Sequence, residues 1–103
     1  MNSEPQFDGF DWDDGNREKC RKHGISPEAI EELFGRVLAI APDPFQNEPR
    51  FRAIGPANDG RMIFLVFTLR SRDNERLIRP ISARFMHRRE IRAYKEANPH
   101  ILE

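Results

Sequence analysis

The sequence predicts an α+β fold: an antiparallel sheet of three to four strands, with two helices before it and one after it. Three observations carry this expectation. Residues 62–67 (MIFLVF) form an uncharged apolar and β-branched run that reads as a buried strand. Polar turn signals bound it, Asn58-Asp59-Gly60 before and residues 71–75 after, each leading to another strand-like run. Helical spacing occurs only outside this block, early and late in the chain.

In order, residues 1–6 read as a loose terminus, and residues 7–12 (FDGFDW) as a short edge strand or an extended arm. Asp13 or Asp14 can cap a polar helix over residues 15–22 that Gly24 stops. Only Cys20 is apolar there, so this helix is expected to lie on the surface. Ser26-Pro27-Glu28 is a stronger start, with a hydroxyl cap, Pro in the first turn and an acid near the positive end of the dipole. Ile30, Leu33 and Phe34 then make one apolar stripe, and Gly35 closes the helix. Residues 37–41 (VLAIA) read as a short strand, and 42–49, with three prolines, as an irregular loop.

Residues 50–55 (RFRAIG) alternate, Phe51 and Ala53 against Arg50, Arg52 and Ile54. The buried strand continues to Arg70, and a further strand over 76–84 contains Pro80, which asks for a bulge or an edge. Residues 87–97 read as a helix with His87, Ile91 and Tyr94 inward and Arg88, Arg89, Arg92 and Lys95 outward, and 98–103 as a tail. One domain over 1–103 is expected, without repeats or linkers.

The formal charge is zero, with 17 basic and 17 acidic residues, but it is unevenly spread. Residues 1–48 hold 11 acids against 5 bases, and residues 49–103 hold 12 bases against 6 acids. Such asymmetry suggests a polyanionic partner, and the dominance of Arg over Lys suits forked contact with phosphate. A single cysteine excludes an internal disulfide and a multi-Cys zinc site, and three scattered histidines show no ligand spacing, so neither metal nor cofactor is expected. The start lacks a leader pattern, and no apolar run approaches the ~20 residues of a membrane span, so a cytoplasmic protein is expected.

By alternation, Thr68 and Arg70 share a strand face, as do Ser82 and Arg84 on the next strand. If the two strands pair, these donors gather on one side, either to hold a phosphate or to form ion pairs with Asp73, Glu75 or Glu90. His23, in Lys22-His23-Gly24 at a helix end, is either a proton-transfer group or a capping residue. Trp12 either anchors the core or stacks on a base. Glu90 either transfers protons or pairs with an arginine.

Three ordered pieces resemble the BrnT family of bacterial type II toxins: FDWDDGNREKCRKHGIS (10–26), GRMIFLVFTLR (60–70) and IRPISARFMHRREIRAYKE (78–96). Trp-Asp followed by Lys-His-Gly and the late Ile-Ser-Ala-Arg are the specific elements. The chain departs from many members in having Lys19-Cys20 before the Lys-His-Gly and no Lys after Trp-Asp. The resemblance implies a RelE-like ribonuclease fold and a toxin that cleaves RNA, inhibits translation and growth, and needs no metal. It implies neutralisation by a BrnA-like ribbon-helix-helix antitoxin, with operator DNA contacted only through their complex. Carried over residue by residue, it implies His23, Arg70, Arg84 and Glu90 as catalytic. Trp12, Lys22, Thr68, Arg72, Ser82 and Arg88 would contact RNA. The alternative is a non-catalytic module of the same fold that binds nucleic acid or docks the antitoxin.

Overall fold

The computed structural model describes residues 7–44 and 48–97. In chain order the elements are β1 (Gly9–Phe10), α1 (Asp14–Arg21), α2 (Pro27–Leu33), β2 (Ala39–Asp43), β3 (Arg50–Pro56), β4 (Met62–Arg72), β5 (Glu75–Phe85) and α3 (Arg88–Ala97). The expected loose terminus and tail lie outside the described residues. One sheet runs β1-β5-β4-β3-β2. Its members β2 to β5 are antiparallel, and β1 adds in parallel to β5. The fold is α+β, with a five-stranded mixed sheet in place of three or four antiparallel strands. The extra strand is short: Gly9 and Phe10 pair with Leu77 and Ile78.

Helix α1 lacks an apolar stripe, and it nevertheless docks. Asp13 caps it in a reciprocal box with Asn16. The Asn16 amide nitrogen, buried, donates to the carbonyls of Asp11 and Pro80 at 2.9 Å each. Cys20 is fully buried beside it, and burial pushes its thiol pKa up. The helix lies across the surface as expected, with Asn16 and Cys20 its only buried residues, and a buried amide docks it in place of the missing stripe. Helix α2 starts as the sequence predicts, with the Ser26 hydroxyl accepting from the Ala29 N–H. Its end presses on the sheet at Gly55, where a Cβ would lie 2.6 Å from Leu33 Cδ1 and 3.1 Å from the Arg36 carbonyl.

Strand β2 starts two residues later than residues 37–41 suggested and runs through Pro42. As the last strand of the sheet, it has an outer side on which a proline removes no ladder bond. The β4–β5 hairpin turns on Asp73 and Asn74, both left-handed (φ 52° and 67°), a two-residue primed turn that matches strand twist. Its strands therefore extend to Arg72 and Glu75, past the expected ends. The register slips between Val66 and Phe67, which face Ser82 and Pro80 and leave Ile81 unmatched. This is the bulge that Pro80 called for.

Helices α1 and α2 cover one face of the sheet. Ala53, Ile63, Leu65, Phe67, Ile78 and Ala83 close the core there with Ile25, Ile30 and Leu33. Phe10, Phe34, Phe67 and Phe51 extend it as a chain of ring contacts with centroids 5.3–5.6 Å apart. Helix α3 makes only sparse contact with the sheet. Among the described residues, no helix is long and apolar enough to cross a membrane.

Candidate functional site

The face turned away from α1 and α2 carries the arginines. Register places Ile54, Phe64 and Arg84 in one row across β3, β4 and β5, and Arg52, Val66 and Ser82 in the next. Arg84 grips Glu90 with both terminal nitrogens, Nη1 to Oε1 and Nη2 to Oε2, at 2.8 Å each. The His87 backbone N–H donates to Glu90 Oε1 at 2.8 Å. The Arg84 guanidinium and that N–H together hold the Glu90 carboxyl down from its ordinary 4.5 to about 2. The same hydrogen bonding raises the Arg84 pKa against its desolvation. Arg84 also lies over the Phe64 ring, 4.7 Å from its centroid, and Arg52 from β3 approaches the same ring at 5.9 Å. Arg52 donates from Nε to Asp43 Oδ1 at 2.6 Å.

The other predicted residues do not all join this group. Arg70 pairs across the hairpin with Leu77, whereas Arg84 pairs with Phe64. Six residues of strand separate those rows, about 20 Å, so the two arginines occupy opposite ends of the hairpin. The expected convergence of Arg70 with Arg84 on one side thus holds for the face and fails for the position. Arg70 faces Glu48 at 3.9 Å, and the buried Thr68 hydroxyl donates to the Pro49 carbonyl at 2.6 Å. Arg72 reaches Asp11 at 3.2 Å. Ser82 is half-buried beside Arg84's row.

Trp12 is on the other side of the sheet. Its ring packs on the core, and its indole N–H donates to Glu31 Oε2 of α2 at 2.9 Å. Lys22 and His23 are exposed just past α1. Gly24 and Ile25 then line a hollow of about 250 Å³ with Arg61, Ile63 and Phe85. His23 therefore stands at the same end of the hairpin as Arg84, on the helix side. Arg88 is exposed at the start of α3. His87, expected to face inward, is exposed instead, because it precedes the helix and its N–H serves the Glu90 cap.

Sequence reasoning missed Arg52, Phe64 and Arg79. Alternation already put Arg52 on the face opposite Phe51; pairing β3 with β4 through the 58–60 turn would have set it next to Phe64. Arg79 is held by Asp11 at 3.5 Å and Asp13 at 2.7 Å, and its pKa is raised first by the Asp13 hydrogen bond. Asp13 is lowered in turn by the Asn16 N–H and Arg79. These contacts change the reading of the charge asymmetry. Acids of the first half (Asp11, Asp13, Asp43, Glu48) pair with Arg50, Arg52, Arg70, Arg72 and Arg79 of the second. Much of the basic half is answered within the chain.

Fold and site define an α+β protein with an arginine-bearing open sheet face, a surface suited to a phosphate chain. The chain belongs to the BrnT toxin family. The family described as ribonuclease toxin, BrnT, of type II toxin–antitoxin systems matches residues 12–90, which include His23, Arg52, Phe64, Arg84 and Glu90. Ribonuclease activity and an antitoxin partner are thus properties of its family. No curated protein matches the chain.

Proposed function

We propose that the protein is a cytoplasmic endoribonuclease toxin that cuts RNA without a metal ion, inhibits translation and growth, and is neutralised by a BrnA-like ribbon-helix-helix antitoxin. In that complex the antitoxin would contact operator DNA. The observation that carries the reading is Arg84, locked by Glu90 over Phe64 on the open face of a family member.

In the proposed reaction the RNA 2′-oxygen loses its proton and attacks phosphorus, and the 5′-oxygen leaves with a proton, giving a 2′,3′-cyclic end. Arg84 faces the charge that develops on the phosphorane, a contribution typically worth ~10²–10³-fold. Glu90, ionised far below neutral pH, suits positioning Arg84 better than carrying protons. His23, exposed at the same end, is the proton-transfer group, worth ~10²–10⁴-fold. Arg70, Arg72 and Arg88, with Lys22, contact phosphates further along the chain.

The test is cleavage of RNA in excess EDTA, with end-group analysis. Arg84→Ala and His23→Ala are each expected to slow cleavage at least ~10²-fold, with melting unchanged in His23→Ala and with α3 loosened over an intact sheet core in Arg84→Ala. Full cleavage by both folded variants contradicts the assignment, and strict metal dependence contradicts the mechanism. RNA binding without new cyclic ends would fit the non-catalytic module instead.

A further inference from the structure

Two guanidiniums share one ring on the open face. Arg84 Cζ lies 4.7 Å and Arg52 Cζ 5.9 Å from the Phe64 centroid, so the two carbons are no further apart than the sum of those distances. They arrive from strands on either side of β4. Each is steered by its own carboxylate from outside the pair: Asp43 takes Arg52 Nε, and Glu90 takes both Arg84 Nη groups. Among the described residues, the Nη groups of Arg52 make no hydrogen bond, and neither does Arg84 Nε. The two side chains are 41% and 38% exposed. Two guanidiniums with donors to spare, gathered at one aromatic ring, suit a tetrahedral anion with several acceptor oxygens.

We infer that Arg52 and Arg84 form one phosphodiester-binding site, with Phe64 as the platform that fixes both, and that Arg52 rather than Arg70 is the partner of Arg84. This rests on the proposed handling of RNA. Asp43 and Glu90 orient the two guanidiniums, which stay cationic, so recognition rests on charge-assisted hydrogen bonds to phosphate oxygens. A single-stranded backbone supplies them, since it presents phosphate oxygens unobstructed by a second strand.

The probe is a 2′-O-methyl oligoribonucleotide, which binds like RNA and cannot form the cyclic end. Arg52→Gln combined with Asp43→Asn removes the site without altering net charge and leaves an amide pair to pin β2 to β3. Affinity is expected to fall roughly tenfold, as for loss of a charge-assisted hydrogen bond. The slope of log affinity against log salt is expected to shrink by about 0.7, one single-strand phosphate contact. A role confined to the fold would move melting and not that slope. Phe64→Leu keeps apolar bulk; it should weaken binding a few-fold. Unchanged affinity and slope in the Arg52/Asp43 variant overturn the inference, as does Arg70→Gln reproducing the loss while Arg52→Gln does not. If the wild type binds through Arg52 and cuts no RNA, the site stands and the ribonuclease reading falls. If it does not bind the oligonucleotide at all, both fall.

Discussion

The two faces of the sheet are written by alternate residues of the same strands and do opposite work. On the helix side of β4, Ile63 and Leu65 are fully buried and Phe67 nearly so, closed over by α1 and α2. On the other side Phe64 and Val66 stay half-exposed, and the neighbours they meet are Arg52, Ser82 and Arg84. Apolar contact holds the first face. The second is held by hydrogen-bonded ion pairs and guanidinium–ring contacts, which add little to stability and much to orientation. A domain of this size can leave one face that way because the other supplies the core.

The sharpest break in this comparison is a pair of substitutions on facing strands. Leu65→Ala opens a cavity under α1 and α2 and is expected to cost about 2–5 kcal/mol, read by denaturant unfolding. Ser82→Ala, on the open face, is expected to stay within about 0.5 kcal/mol. Comparable losses at both sites would mean that the open face is covered by something as closely packed as the helices.

A smaller effect comes from Glu90. Its folded-state pKa, about 2, lies below the ordinary 4.5, so the stability it carries is present above pH 4.5 and is lost as pH falls toward 2. Acid titration followed by circular dichroism should show α3 signal lost across that window in the wild type. In Glu90→Gln the window should vanish and α3 should already be partly unwound at neutral pH, since the Arg84–Glu90 grip ties it to a sheet it otherwise touches sparsely. An unchanged acid profile would show that the pair does not hold the helix.

Much of this division was legible in the chain. Alternation over 50–55 and 62–70 sorts the two faces correctly, and Pro80 foretells the bulge. Position along the strand was also legible by counting: with the turn at 71–75, Arg70 stands beside it and Arg84 far beyond it, so the two share a face and lie at opposite ends of the hairpin. Only the register of β3 on β4 puts Arg52 at Phe64, and register is set by turn geometry that residues 58–60 hint at without counting. Polar docking was hidden too. Asn16 looks like a surface residue in a polar segment, and its burial depends on the Pro80 carbonyl, 64 residues away in sequence. The basic second half overstated the case for a polyanion, since acids that answer it are far off in sequence and near in space.

The smallest expected effect concerns Trp12, which the resemblance put against RNA and the fold puts against α2. Trp12→Phe keeps a ring in the core and deletes the hydrogen bond to Glu31, a loss of about 1 kcal/mol. Melting should fall accordingly, while RNA cleavage at a temperature well below the transition stays within twofold, because the open face is untouched. A tenfold loss of cleavage with melting unchanged would place the bound RNA around the edge of the sheet, spanning both faces. His23 makes that outcome worth measuring: it stands on the helix side, near Gly24 and Ile25, so an RNA that reaches both His23 and Arg84 must pass the Phe85 end. Trp12→Phe therefore separates a substrate that crosses only at that end from one that also runs along α1 and α2.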